Sequence, residues 1–129
     1  VLPETGGLGS IGVVIMHVDW QDALSEAGIK VSLIHAGAHK IDANPYQHLP
    51  EDVRADLQAE VEDIRMMFAA AVARNRGLSV TDVLATEARC YPGGSRMGRT
   101  TALDVGLADA VMSPGEAWIA LQASLRASR

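Results

Sequence analysis

The sequence predicts an α/β domain in which helices outnumber strands. Residues 51–75 place apolar side chains at three- and four-residue steps, which is typical of an amphipathic helix. Residues 11–18 and 29–35 are short apolar segments rich in β-branched side chains and have the pattern of strands. Apolar residues make up 48% and charged residues 21% of the chain, so a packed core can form. Aromatic residues are scarce at 4%, which predicts an aliphatic core.

The first half of the chain is predicted to contain two strands around a short helix. Residues 11–18 (IGVVIMHV) form a nearly continuous apolar run that follows three glycines, which indicates a buried strand. Asp19 is expected to cap a short helix over residues 20–27. Residues 29–35 alternate with period two and predict a second strand. The segment from 36 to 50 lacks periodicity, and loops of that length are often functional.

The second half is predicted to be mainly helical. The helix over residues 51–75 is acidic at its start and basic at its end, which suits the helix dipole. The Ser-x-x-Asp pattern at Ser79 indicates a helix that continues to about residue 86. A short helix is expected over residues 102–107 and an edge strand over residues 108–112. The sequence Ser-Pro-Gly-Glu from Ser113 is a strong start signal for a last helix.

Charge and composition exclude several classes of function. The net charge of −5 and the absence of a basic stripe argue against nucleic-acid binding. The single cysteine, Cys90, has no partner for an internal disulfide or a Cys-x-x-Cys metal site. No apolar run approaches 18 residues, so no membrane segment is expected in these 129 residues. The lack of an initial Met and the strand predicted close to the start favour a truncated chain.

Lys40 is the first candidate for chemistry. It follows the second predicted strand in the segment Gly37-Ala38-His39-Lys40, among small and apolar neighbours. Desolvation favours the neutral amine of a lysine, which can then act as a general base. The chain has only one other lysine, Lys30. An ordinary solvated loop lysine is the alternative that these residues leave open.

Ser10 is the second candidate, in the sequence Gly9-Ser10-Ile11-Gly12 at the start of the first predicted strand. The glycines permit a tight turn and a close approach of backbones, and they place a small hydroxyl beside the strand. A glycine-rich turn without chemistry is the alternative interpretation.

The four histidines are weak candidates for a metal site. Metal binding needs three or four converging ligands, and His35 and His39 are four apart outside any predicted helix. Asp19 and Asp42 are further conceivable ligands. We expect histidines that pack or face solvent, and neither a metal nor another cofactor. The set comprises His17, His35, His39 and His48.

Five motifs, in their order and spacing, resemble the signal peptide peptidase A (protease IV) family of serine peptidases. The resemblance covers essentially the whole chain, and the segments at Asn44-Pro45-Tyr46 and Leu49-Pro50-Glu51 are most similar to its phage branch, whose members process capsid or scaffold proteins during head maturation. The motifs are Gly9-Ser10-Ile11-Gly12-Val13, Gly37-Ala38-His39-Lys40, Arg74-Asn75-Arg76-Gly77, Glu87-Ala88-Arg89-Cys90-Tyr91-Pro92-Gly93 and Ala102-Leu103-Asp104-Val105-Gly106-Leu107-Ala108-Asp109.

The resemblance implies a ClpP/crotonase-like fold of stacked β-β-α units, of which residues 1–129 are the C-terminal portion with a long central helix. It implies a Ser/Lys dyad that hydrolyses peptide bonds, with Lys40 as general base and Ser10 orienting it. The family's nucleophilic serine lies farther upstream than this chain extends, so the chain alone is expected to be inactive. Polypeptide substrates and homo-oligomers are implied. The location is cytoplasmic or in the phage prohead for the phage branch, and membrane-associated for signal peptide peptidases.

Two alternatives remain beside the peptidase. In a non-catalytic assembly or scaffold module on the same fold, the long helix and the aliphatic composition would serve oligomer contacts. An acyl-CoA hydratase of the crotonase type is disfavoured by the Ala-His-Lys segment. Residues 94–101 look like an insertion relative to the family, and the pattern assigns them no function.

Overall fold

The structure is a computed structural model, and it describes residues 1–95 and 97–127. It contains helices and a small two-stranded sheet, consistent with the predicted α/β class. The chain divides into two compact units, unit 1 (Val1–Gly12 with Met66–Arg129) and unit 2 (Val13–Arg65). The elements in chain order are β1 (Gly7–Gly9), α1 (Gln21–Glu26), a 3-10 helix (Ala38–Ile41), α2 (Glu51–Arg76), α3 (Val80–Leu84), β2 (Cys90–Pro92) and α4 (Pro114–Ala127).

The long helix is confirmed as α2, within one residue of its predicted end. Gly77 ends it in a left-handed conformation, with φ of +66°, which a residue without Cβ adopts at no steric cost. The next amide, Leu78 N–H, donates to the Ala73 carbonyl oxygen at 3.0 Å. This closure satisfies one of the last helical carbonyls and turns the chain towards α3.

Unit 1 has an aliphatic core, as the composition predicts. Small residues on one face of α2, Ala69 and Ala73, let the helix approach its neighbours closely. Val83 on α3 is fully buried beside them. The other buried members come from the N-terminal segment and from the chain between β2 and α4; they are Leu2, Ile11, Ala102, Leu107 and Ala108.

The sheet is a pairing that the sequence did not predict. β1 and β2 are antiparallel, with Gly7 opposite Pro92 and Gly9 opposite Cys90. Gly9 has φ of +133°, and a Cβ built on it would lie 2.1 Å from the Arg89 carbonyl oxygen. The pairing therefore requires glycine at this position.

The two strands predicted from apolar patterns are wrong. Residues 11–18 and 29–35 are not strands, and within the described chain their backbones make only local hydrogen bonds, from the Gly12 N–H to the Ser10 carbonyl oxygen and from the Ile29 N–H to the Leu24 carbonyl oxygen. Most of their apolar side chains are exposed, with Val14 87% and Ile34 99% accessible, whereas Ile11 is buried. A strand is stable only when a neighbour pairs with its backbone, and these segments have the composition of strands without that neighbour.

The predictions for residues 102–107 and 108–112 are also wrong. Residues 102–107 form turns, because Gly106 is left-handed with φ of +72° and its N–H donates to the Leu103 carbonyl oxygen rather than continuing a helix. Val111 makes only an isolated parallel bridge with Leu2 instead of belonging to an edge strand. Ala102 and Leu107 are nevertheless buried, so the turns contribute to the core of unit 1.

The predicted helix starts are confirmed. Ser79 caps α3, where its Oγ accepts a hydrogen bond from the Asp82 N–H. Ser113 and Glu116 form a reciprocal capping box at α4: the Ser113 N–H and Oγ donate to the Glu116 carboxylate, at 2.8 and 2.7 Å. These donors hold the pKa of Glu116 below its ordinary value. The predicted first helix is shorter than expected, six residues, and the Asp19 carboxylate accepts from its first amide, Gln21 N–H, at 2.9 Å.

Hydrogen bonds from Arg76 join the end of α2 to the turns that follow Ala102, and we call this contact the Arg76 clasp. The Arg76 guanidinium donates two hydrogen bonds to the Asp109 carboxylate, at 2.6 and 2.9 Å. Its Nε donates to the Gly106 carbonyl oxygen at 2.9 Å. The hydrogen bonds from Arg76, with its charge, hold the pKa of Asp109 below its ordinary value.

Replacing Arg76 by glutamine is expected to lower the melting temperature at neutral pH. The lowered pKa of Asp109 means that the clasp contributes its full stability above the ordinary aspartate pKa and loses it as pH falls through the folded value. The difference in melting temperature between wild type and Arg76→Gln should therefore shrink on acidification. A difference that is constant between pH 7 and pH 3 would show that the ion pair does not carry the effect.

Candidate functional site

Ser10 lies immediately after β1 in unit 1, in an uncommon backbone conformation. Its φ is +55°, and its N–H donates to the Arg89 carbonyl oxygen at 3.0 Å. Its own carbonyl oxygen accepts from the Gly12 N–H at 2.9 Å. These two bonds fix the backbone of Ser10, while the residue stays exposed and Ile11 beside it enters the core.

Lys40 lies in unit 2, in the 3-10 helix that follows Gly37. Gly37 has φ of +99°, so the chain reverses there and the Lys40 N–H donates to the Gly37 carbonyl oxygen at 3.2 Å. The Lys40 side chain is exposed, and in the described part of unit 2 its Nζ has no hydrogen-bond partner. The expected loop over residues 36–50 is confirmed, with this single helical turn inside it.

The loop over residues 36–50 is well organised. Asn44 Nδ2 donates to the Ile41 carbonyl oxygen at 2.8 Å, and Asn44 Oδ1 accepts from the Tyr46 N–H at 2.9 Å. Ala43 takes a left-handed conformation with φ of +56°. A loop closed by its own side chains in this way holds its residues in defined positions, including the turn that carries Lys40.

The four histidines each contact a different acceptor within unit 2. Two donate to carbonyl oxygens, His17 to Asn44 at 3.1 Å and His35 to Gly37 at 3.0 Å. The other two donate to carboxylates, His39 to Asp42 and His48 to Asp19. These hydrogen bonds, followed by the charges of the carboxylates, raise the pKa of each of these imidazoles. Among the residues that the structure describes, no three His, Cys, Asp or Glu side chains converge on a position for a metal ion.

Unit 1 brings several of the sequence motifs together. The Arg76 clasp joins the motif at the end of α2 to the one that contains Gly106 and Asp109. The Ser10 N–H joins the first motif to Arg89. Stretches that are separate in sequence are thus joined in unit 1 by backbone and charged hydrogen bonds.

An apolar hollow of about 370 Å³ lies beside the Ser10 backbone in unit 1. Its walls include both neighbours of Ser10 and the exposed face of α2, and they are mostly apolar. The lining residues are Leu8, Gly9, Ile11, Phe68, Ala71, Val72, Asn75, Arg76 and Leu107.

The sequence did not predict the contact between His48 and Asp19, which lies just before α1. His48 Nδ1 lies 2.6 Å from Asp19 Oδ2, although 29 positions separate the two residues. Asp19 was predicted to cap this helix, and its carboxylate accepts from the Gln21 N–H although Trp20 is the N-cap residue, but no local pattern reveals a partner so far along the chain. The only signal in the sequence was an acidic residue before the predicted helix together with a histidine in the long loop that follows.

Comparison with known proteins gives a consistent set of relatives. Residues 1–126 match peptidase family S49. The chain is 40% identical over 129 residues, all of this chain and 28% of the relative, to the capsid assembly protease C of Escherichia phage lambda. It is 39% identical over 117 residues, 91% of this chain and 22% of the relative, to the head-tail preconnector protein GP5 of Enterobacteria phage P21. The chain thus spans less than a third of the length of these relatives. Among the described residues, no helix combines the length and apolarity that crossing a bilayer requires.

Proposed function

The chain belongs to peptidase family S49, and on that premise we propose that it is the part of a phage head-maturation protease that carries the general base. The observation that carries the proposal is the family match over residues 1–126, which includes the Gly37-Ala38-His39-Lys40 motif. The phage lambda relative, a capsid assembly protease by name, favours capsid or scaffold proteins as substrates. The reaction then takes place in the prohead or the host cytoplasm.

The proposed mechanism uses a Ser/Lys dyad. Lys40 Nζ, in its neutral form, takes the proton of a serine hydroxyl, and the serine oxygen attacks the carbonyl carbon of the scissile peptide. The C–N bond breaks, the amine leaves with a proton, and water hydrolyses the acyl-enzyme. In this mechanism Ser10 orients the Lys40 side chain. The fixed backbone of Ser10 supports this role, because an orienting group must itself be held in place.

Lys40 is exposed in unit 2, whereas a general base works best when it is desolvated. We propose that the remaining part of the longer protein covers it and supplies the nucleophilic serine and the oxyanion hole. The coverage of only 28% of the phage lambda relative supports this view. The complete protein then has the ClpP/crotonase-like fold and assembles as a homo-oligomer.

The apolar hollow beside Ser10 supports a polypeptide substrate. Apolar walls of this kind suit an aliphatic or aromatic side chain of an extended peptide. Leu8 and Gly9 of β1 line the hollow, and the backbone of a strand offers hydrogen-bonding groups to an extended peptide.

The 129-residue chain on its own is expected not to hydrolyse peptides. A base without a nucleophile offers no route to an acyl-enzyme, so a quenched fluorescent peptide library should show the buffer rate only. The full-length protein with the same library is the positive control. Turnover by the isolated chain that disappears in Lys40→Ala would show that the nucleophile lies within these residues and would contradict the proposed division of the site.

A non-catalytic role in head assembly is the second candidate. It is favoured by the relative named a head-tail preconnector and by apolar side chains left exposed on α4, among them Trp118 and Ile119. The two candidates differ in the head proteins that infected cells accumulate. Loss of capsid-protein processing in a Lys40→Ala phage supports the protease, whereas normal processing with normal heads supports the assembly module.

A further inference from the structure

The second half of the loop over residues 36–50 contacts the start of α1 and the segment before it. Within unit 2, the contacts join residues 44–48 to residues 17–21, which are 25 or more positions away in sequence. Trp20 N–H donates to the Pro45 carbonyl oxygen at 2.8 Å, and His48 N–H donates to Gln21 Oε1 at 2.9 Å. The two amides therefore report directly on whether the loop is docked.

The ring of His48 faces a carboxylate from each of its two nitrogens. Nδ1 lies 2.6 Å from Asp19 Oδ2, and Nε2 lies 3.6 Å from Asp22 Oδ1. A neutral imidazole has one N–H, whereas an imidazolium has two and carries the positive charge that both carboxylates attract. The second oxygen of Asp19 is occupied by the Gln21 N–H. The arrangement is thus complementary to the protonated ring.

We propose that the imidazolium of His48 is a latch that holds the Lys40-bearing loop against the start of α1, and that deprotonation releases it. The latch consists of the contacts of His48 with Asp19, Gln21 and Asp22. The docked position of the loop does not depend on whether Lys40 is catalytic; only an effect on peptide hydrolysis rests on the proposed function.

The direction of the pH dependence follows from the groups that face the ring. The hydrogen bond and charge of Asp19, and then the charge of Asp22, raise the pKa of His48. The Gln21 N–H, then His48 and the more distant charge of His17, lower the pKa of Asp19, so Asp19 stays ionised while His48 titrates. A raised pKa means that the latch is fully closed below the ordinary imidazole pKa of about 6.5 and opens as pH rises through the folded value.

The latch is tested by hydrogen exchange of the backbone amides at positions 20 and 48, measured by NMR between pH 5 and pH 9 and corrected for intrinsic exchange. In the wild type, protection of both amides should fall about two- to fivefold across this range, the size expected of an exposed ion pair. His48→Gln should show the low protection at every pH. His48→Lys, which keeps a positive charge throughout, should retain protection at pH 9.

His39→Gln is the matched control. It removes a histidine–carboxylate pair of similar exposure from the same loop, but its partner Asp42 is only three residues away and does not join the loop to α1. It should leave the pH profile of the two amides unchanged. Wild-type protection in His48→Gln, or the same loss in His39→Gln, would overturn the latch. The Lys40→Ala variant tests the proposed function separately, because it leaves the contacts of His48 intact.

Discussion

Replacing Lys40 by alanine in the full-length protein is expected to reduce kcat for cleavage of capsid or scaffold substrates by about 10³-fold or more. A positioned general base contributes about 10²- to 10⁴-fold, and a base that acts as a unit with its nucleophile can contribute more. The KM should change little, because the base acts on the serine rather than on substrate binding. Single-turnover assays with a purified head protein separate the chemical step from product release.

The chain offers a matched control for this substitution. Lys30 is the only other lysine, lies in the same unit and is likewise exposed, so Lys30→Ala makes the same change in charge and size outside the proposed site. It should cleave at the wild-type rate. Both variants should melt at the wild-type temperature. Wild-type kcat in Lys40→Ala, or an equal loss in Lys30→Ala, would exclude Lys40 as the base.

Helices were predictable from this sequence because their signals are local. The apolar stripe of α2 and the capping box at Ser113 use residues within one or two turns of each other. The prediction of a helix over residues 102–107 was wrong, and the reason is also local. Left-handed Gly106 ends the turn, and its sequence neighbours do not reveal that it must be left-handed.

Strands were poorly predicted because their stability depends on partners. The apolar run 11–18 has the composition of a strand, but no neighbouring strand pairs with it in the described chain, and its backbone makes only the local hydrogen bond from the Gly12 N–H to the Ser10 carbonyl oxygen. The observed strands β1 and β2 join positions more than 80 residues apart, and their three-residue sequences, Gly-Leu-Gly and Cys-Tyr-Pro, have little strand pattern. Only the identity of Gly9, which permits the close approach to Arg89, hints at the pairing.

The sequence predicted the motifs of the candidate site but not the contacts that hold their residues. Lys40 and Ser10 were candidates from their sequence context, their roles came from the family resemblance, and the structure adds how the backbone holds each of them. Their proposed cooperation remains a prediction. The His48 latch escaped the sequence because a histidine in a loop and an acidic cap are both common, and only their distance makes them a pair.

The substitution Gly9→Ala is expected to cost unit 1 about 3 kcal/mol of unfolding free energy or more. The new Cβ would meet the Arg89 carbonyl oxygen at 2.1 Å, and φ of +133° is a region that side chains disfavour. The clash is with backbone, so it can be relieved only by separating β1 from β2. Urea unfolding followed by circular dichroism gives the loss, and the exchange rate of the Ser10 amide reports the separation of the strands.

The substitution Gly77→Ala separates the cost of a positive φ from the cost of the clash with backbone. Gly77 also has a positive φ, +66°, but a Cβ there meets no atom within 4 Å, so only the conformational cost of about 1 kcal/mol should appear. The excess loss in Gly9→Ala then measures the close approach of the strands together with the less favourable φ of +133°. Equal losses of unfolding free energy in the two variants would show that the close approach of Gly9 to Arg89 adds no cost. Because the Ser10 N–H donates to the same Arg89 oxygen, the excess also measures how firmly the fold holds the residue proposed to orient Lys40.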